Sequence, residues 1–268
     1  MKKNKISSNI YLFIIFIFTY LPILSLIVFS FNESKSLTVF TGFSFRWYQE
    51  LFINREIIDA VVTTITVAII STVISTVIGT LAAISLSKQK KVFRDITFSI
   101  NNLPILSPEI ITAIAFFILF GTLAITRGMT TMIIAHIAFS TPYVLITVYP
   151  KVRSLDSSLI DASHDLGATA KQTLFKVIIP QIKPAIIAGA AIAFTMSFDD
   201  FVISYFAASG STVKNISIYL YTLKRGIEPT VNALSTLIIL VIGIKILYDL
   251  IKGKKIKEKK IKWKKYGY

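Results

Sequence analysis

The chain has 268 residues, of which 54% are hydrophobic and only 16% charged, and its mean hydropathy is +0.69. A soluble domain carries about a quarter charged residues, so this composition excludes an ordinary soluble fold and points to a membrane protein. In a soluble chain the formal charge of +15 would suggest nucleic acid, but the apolar runs argue against it, and the absence of cysteine excludes disulfides, thiol nucleophiles and cysteine-ligated metals.

A transmembrane helix needs about 20 mostly apolar residues. Six stretches qualify, near 10–31, 60–87, 96–125, 129–149, 184–207 and 232–250. The expected fold is therefore an all-α, polytopic membrane protein. It divides into a short N-terminus at 1–9, a six-span domain over 10–250 and a polybasic tail at 251–268. The first stretch follows Lys2, Lys3 and Lys5 as a signal peptide would. Its apolar run is too long for a signal h-region and no small-x-small cleavage site follows, so it reads as a retained span.

With six spans both termini share a side. Segments 1–9, 88–95, 151–183 and 251–268 hold 21 Lys and Arg, against seven in the segments that alternate with them. The positive-inside rule then makes both termini cytoplasmic. The tail, with nine Lys against one Glu from Lys252 to Lys265, suits a solvated stop-transfer end attracted to anionic lipid, and no nucleic-acid role is assigned to it.

The second span is rich in small and β-branched residues, including Thr64, Ser71, Ser75, Gly79 and Ala83, and so looks like a helix of the bundle interior. The third carries Pro104 and Pro108, each of which removes a backbone donor and disfavours helix before it. Two readings stand there: an interrupted helix lining a cavity, and a plain kink.

Glu109, Asp199, Asp200 and Asp249 fall within the expected spans. A carboxylate in hydrocarbon costs on the order of 3 kcal/mol, so it faces protein or water and is often functional. Asp249, four residues after Lys245, reads as an intrahelical pair. On straight helices Glu109 and Asp199 would each stand roughly 21–23 Å from the inner end. In Ser197-Phe198-Asp199-Asp200-Phe201 the two acids would differ by about 100° around a helix, one facing a path while the other packs or caps. Acids beside aromatics suit a cation path, with Trp47 and Tyr205 as the aromatic candidates; an interfacial anchor is the alternative for Trp47.

Residues 151–183 form the one sizeable cytoplasmic loop between spans and read as two short helices. Leu155, Leu159, Ala162 and Leu166 form a stripe on the first, which Asp156 starts and Gly167 ends. Thr169 and Gln172 form a capping box for the second, which carries Leu174, Phe175 and Val177 and which Pro180 and Pro184 close off.

Asp161-Ala162-Ser163, Gly167 and Val177-Ile178-Ile179-Pro180 resemble the EAA loop of binding-protein-dependent ABC importer permeases. Asp161 stands where that pattern has Glu, Ser163 where it has Ala, and Val177 and Ile179 where it has Ile and Leu. Further runs resemble the spermidine/putrescine permeases of the PotC type, so that the likeness covers about residues 10–250. They are Phe45-x-Trp47-Tyr48, Pro104 to Ile110, Ser197 to Ser204, and Lys224 to Pro229 with Asn232-Ala233.

The resemblance implies the MetI-like transmembrane fold and a multi-pass subunit of the cell membrane. Its implied partners are a second, similar permease, a dimeric ABC ATPase that binds ATP and Mg, and an extracytoplasmic polyamine-binding protein, besides membrane lipid. It implies no cofactor in this chain. Asp161, Ala162, Ser163, Leu166, Gly167 and Pro180 would serve ATPase coupling, with Gly167 permitting the bend. Asp199, Asp200, Glu109, Trp47, Ser197 and Tyr205 would line the substrate path, Trp47 at its outer entrance.

The chain has no G-x-x-x-x-G-K-[ST], no H-E-x-x-H and no G-x-S-x-G, so a membrane-embedded enzyme is not expected. His136 and His164 read as packing or surface residues. Alternatives to the polyamine importer are a permease of the same class for another small cation or an amino acid, a gradient-driven secondary transporter, and a structural membrane subunit.

Overall fold

Backbone groups inside a membrane must bond within their own segment, and helices accordingly make up the computed structural model. It describes residues 3–223 and 229–265, with side chains for 9–223, 229–248 and 251–252. The run Lys224 to Glu228, the Asp249 side chain and the tail side chains beyond Lys252 lie outside the described residues. Among the described residues five helices are long and apolar enough to cross a membrane, and a sixth crossing results if one sharply bent pair counts as a span. The chain divides into two units, residues 1–58 with 223–268, and 59–222.

In the first unit α1 (Lys3–Phe29) leads to an ordered loop and α2 (Arg46–Ile53), and α12 (Pro229–Lys265) packs against both helices. The loop is organised by buried Asn32, whose Nδ2 donates to the carbonyls of Ser36 and Val39, each at 2.9 Å, while its Oδ1 accepts the Thr41 N–H at 2.8 Å. The Trp47 indole N–H donates to the Asn32 carbonyl, and Phe31 stacks on Phe43 at 5.3 Å between centroids.

The second unit holds most of α3 (Arg55–Ser87), then α4 (Lys91–Leu106), α5 (Glu109–Thr122), α6 (Met129–Arg153), α7 (Ser157–Asp165), α8 (Ala170–Thr173), α9 (Ile179–Phe198), α10 (Val202–Ala207) and α11 (Ile216–Tyr221). Its apolar core joins Ala83 and Ile84 of α3 to Val144, Val148 and Val152 of α6 and to Ile182 and Ala193 of α9. A second cluster joins Ala113 and Phe120 of α5, Ala135 and Phe139 of α6, and Ile203 and Ala207 of α10.

Three sequence expectations need correction. The central helix is α6, with 56% of its apolar window buried, against 33% for α3. The small residues of α3 recur at spacings of seven and then four, at Thr64, Ser71, Ser75, Gly79 and Ala83, so one face packs inward while Ile69, Val73 and Val77 face out. Second, only Ser107–Pro108 breaks the third span, where α4 and α5 meet at 102°. Pro104 stays inside the last turn of α4 and costs that helix only the partner of the Ile100 carbonyl. Third, Pro180 and Pro184 do not close a helix: α8, a π turn at Leu174–Ile178 and α9 run on continuously to Phe198. The Ile179 N–H reaches back to the Leu174 carbonyl, and this wider turn absorbs the donor missing at Pro180.

Candidate functional site

The most distinctive chemistry of the second unit gathers where α9 gives way to α10. Helix α9 ends at Phe198, Asp199 caps it, and α10 begins at Val202, so Asp199 and Asp200 stand on a break between helices. The expected separation of about 100° around one helix therefore does not apply. The sharp bend before Glu109 likewise removes the straight helix on which its depth was reckoned.

The break divides the two acids. Asp199 is exposed within the chain, whereas Asp200 is 4% exposed and fully engaged. Asp200 Oδ1 accepts the Ile203 N–H at 3.2 Å, and Oδ2 accepts the Ser204 N–H and the Ser204 hydroxyl, each at 2.7 Å. A buried carboxylate needs such donors to offset lost hydration. Glu109, the first residue of α5, lies within electrostatic range of both Asp200 and Asp199. The structure thus brings together the three acids singled out within the spans of this unit, from positions 90 residues apart in the chain.

His136 of α6 lies behind this cluster, 1% exposed. Its Nδ1 is 2.6 Å from Ser197 Oγ, and its Nε2 is 2.9 Å from Ser204 Oγ and 3.3 Å from Asp200 Oδ2. Because the carboxylate can only accept, the network assigns the proton to Nε2. Ser197 Oγ also meets Ser71 Oγ of α3 at 3.0 Å. Asn215 donates from Nδ2 to the Asp200 carbonyl and to Ser204 Oγ, both at 2.9 Å, and its Oδ1 caps α11 by accepting the Ile218 N–H at 2.8 Å. Thr64 Oγ1 of α3 accepts the Ile216 N–H at 2.9 Å. Side chains of α3, α6 and α11 therefore all hold the break.

The other candidates distribute differently. Ser197 is 2% exposed and belongs to the network behind the acids. Tyr205 is partly exposed and clusters with Phe201 and Tyr221 at centroid distances of 5.5 and 5.7 Å, an aromatic patch beside the acids. Trp47 belongs to the first unit and is 1% exposed there, its indole turned to the Asn32 carbonyl. Sequence reasoning missed His136 as an organising residue, and it missed Asn215 and Thr64. Asn215 immediately before Ile216-Ser217-Ile218 was a legible helix cap, but nothing local signalled its bonds to Asp200 and Ser204.

The cytoplasm-assigned loop folds as two short elements. Asp156 caps α7 by accepting the Ser158 N–H at 2.9 Å. At its other end the Gly167 N–H bonds the His164 carbonyl and the Ala168 N–H bonds the Ser163 carbonyl, with Gly167 at φ +78°. This is the paired bonding of a Schellman turn, for which glycine is favoured. Thr169 and Gln172 form the expected capping box. Ser163 is buried and bonds Thr173 Oγ1 at 2.9 Å, joining α7 to α8, while Asp161 and Ala162 are exposed and Leu166 is 89% exposed. Pro180 lies in the first turn of α9.

Comparison with known proteins places these features in a family. A family described as binding-protein-dependent transport system inner membrane component matches residues 75–257. The putrescine transport system permease protein PotI of Escherichia coli (strain K12) is 36% identical over 236 residues, covering 85% of this chain and 84% of its own. The spermidine/putrescine transport system permease protein PotC of Haemophilus influenzae is 33% identical over 248 residues, covering 92% and 96%. A chain of a bacterial ABC transporter involved in the import of the acidic polysaccharide alginate shares the fold, with a TM-score of 0.76 at 16% identity and coverage of 94% and 96%. The chain belongs to the binding-protein-dependent transport system inner membrane components, a family of multi-pass ABC importer permeases.

Proposed function

We propose that this chain is a transmembrane permease subunit of an ATP-driven importer that moves polyamines, spermidine or putrescine, into the cell. The observation that carries this reading is the gathering of Glu109, Asp199 and Asp200 at two helix breaks within otherwise apolar spans. Ammonium groups shed water on entering such a path, and carboxylates with aromatic faces beside them compensate that loss. Asp199 and Glu109 meet the ammonium groups, Tyr205 and Tyr221 supply aromatic faces, and Asp200 completes the negative field from behind. Binding along the path is weak, because a deep well would trap the cargo.

The PotI and PotC relatives are named for putrescine and spermidine/putrescine transport, which supports the same cargo class. The fold alone does not choose the cargo, since the alginate importer uses it for an acidic polysaccharide. An anion path calls for buried Arg or Lys, and the expected spans contain only Lys245.

The chain has no P-loop, so in this reading a dimeric ATPase supplies the energy and binds ATP and Mg. That ATPase receives α7 through Asp161, Ala162 and Leu166. A second, similar permease encloses the path, and an extracytoplasmic binding protein delivers the cargo; one alginate importer structure holds such a protein with its pentasaccharide. The assembly sits in the cell membrane with both termini of this chain inside.

Uptake of labelled spermidine and putrescine into energised cells, with this chain present or deleted and its neighbouring genes intact, tests the reading. Loss of uptake of either on deletion is the expected result. Unchanged entry of both would overturn the cargo assignment while leaving the family membership standing.

A further inference from the structure

Three residues, Asp199, Asp200 and Phe201, separate α9 from α10: the Asp199 N–H closes α9 on the Thr195 carbonyl and the Phe201 carbonyl opens α10 by accepting the Tyr205 N–H, so each backbone bond stays on its own side of the break. Such a break is soft unless something outside it sets its geometry. The bonds from Asp200 to Ile203 and Ser204 are local and orient Asp200 against α10 alone. Besides capping α11, Asn215 bonds Asp200 and Ser204, and the Ser217 hydroxyl bonds the Asp199 carbonyl, but neither side chain bonds a residue of α9. His136 reaches both sides: one ring nitrogen bonds Ser197 on α9 and the other bonds Ser204 on α10, with Asp200 Oδ2 beside it. The imidazole is rigid, so the two bonds set the distance between Ser197 and Ser204. Its own helix, α6, has the largest buried share among the spanning helices.

We propose that His136 is a positioning residue for the cation path, clamping the α9–α10 break so that Asp200 is withdrawn and Asp199 is presented. This deepens the polyamine reading and rests on it for the nature of the cargo. A histidine serving only to fill the core would make the same contacts but would act on stability alone. A clamp acts on transport through Asp199, and that difference is measurable.

The experiment uses the assembled transporter in membranes, carrying His136→Ala, His136→Gln, Asp199→Asn or the His136→Ala/Asp199→Asn pair. Glutamine keeps a donor for the Asp200 side and an acceptor for the Ser197 side, so it is the conservative variant. For His136→Ala the apparent KM for spermidine should rise by about tenfold with the amount of assembled transporter unchanged, and Gln should recover most of that loss. In the Asp199→Asn background the same Ala substitution should add little, because the group it positions is already gone.

A second readout does not depend on the cargo. The chain has no cysteine, so Asp199→Cys gives a single reporter in it. Its labelling by a positively charged thiosulfonate should slow by about fivefold when His136 is also Ala, the shift in presentation being of the same order as the KM effect. Fully additive KM effects with unchanged labelling would overturn the proposal. So would a loss of assembled transporter in His136→Ala and His136→Gln that accounts for all the loss of uptake. If the unmodified transporter imports neither polyamine, the cargo reading fails, and the labelling comparison still decides whether His136 positions residue 199.

Discussion

Gly79 of α3 lies directly against Val144 of α6: a Cβ built on the glycine would stand 2.7 Å from the valine Cβ and 2.8 Å from its Cγ1. Close approach of backbones through small residues is how helices associate in lipid, where the hydrophobic effect offers no preference for helix over hydrocarbon. Gly189 of α9 meets the same valine less tightly, at 3.2 Å. Gly79→Ala is therefore expected to destabilise the bundle by about 1–3 kcal/mol through overpacking, and Gly189→Ala by less. Thermal melting of the purified transporter checks the order. Val144→Ala combined with Gly79→Ala should recover part of the loss, and a wild-type melt for Gly79→Ala would sink the close-packing account.

Asp199 and Asp200 should separate cleanly under mutation. Asp200→Ala strands the N–H groups of Ile203 and Ser204 and the Ser204 hydroxyl in a buried site, so a loss of about 3 kcal/mol or more in stability is expected. Asp199→Asn leaves that network intact. It should melt like wild type yet import polyamines several-fold more slowly, read from labelled uptake normalised to transporter amount. Full uptake by Asp199→Asn would remove Asp199 from the cation path.

For the proposed docking of the 151–183 loop the test is capture of the ATPase. Leu166 offers an almost fully exposed apolar side chain at the end of α7, and its replacement by Asp should lower the amount of ATPase that copurifies and lower uptake with it. Gly167→Ala puts a Cβ into a left-handed backbone conformation, at a cost of about 1–2 kcal/mol. It should loosen the turn and reduce coupling without altering the spans, seen as faster amide exchange at residues 167 and 168. Equal ATPase capture by Leu166→Asp would separate α7 from docking.

Asp156 carries a pH dependence whose sign follows from its cap. Hydrogen bonds from the Ser158 backbone and side chain hold its carboxyl below the ordinary carboxylate value. A group whose folded pKa is depressed contributes stability above its unfolded value, near 4, and loses it as pH falls through the folded value. Exchange of the Ser158 amide, corrected for intrinsic rate, should stay protected at pH 5 and lose protection only below pH ~4. In Asp156→Asn the protection should no longer depend on that titration; an unchanged pH profile there would rule out the carboxyl as its source.

The helical spans were legible because each is long, apolar and nearly free of charge, and the loop at 151–183 because its caps use local rules. Asp156, Gly167, Thr169 and Gln172 act within three or four residues of their partners, so the sequence displays them directly. The course of the chain at its prolines was less legible. Pro104, Pro180 and Pro184 all lie inside helices, while Pro108 begins a new one. A missing donor is tolerated near a helix end or beside a π turn, and which of these applies depends on the neighbouring bonds.

By itself the amino-acid sequence determined that this is a multi-span helical membrane protein with a loop of short capped helices at 151–183 and carboxylates within its spans. Those properties follow from runs of apolar residues and from contacts a few residues apart. Only the tertiary structure decided that Glu109 lies within electrostatic range of Asp200, that Asp199 is exposed while Asp200 is enclosed, and that His136 bonds both sides of the break. Each of these relations joins residues on different helices or depends on the packing of another one. Their distances are set by the packing of α6 against α9 and of α10 against α5 and α6 and by the three-residue break between α9 and α10, which helical periodicity cannot register.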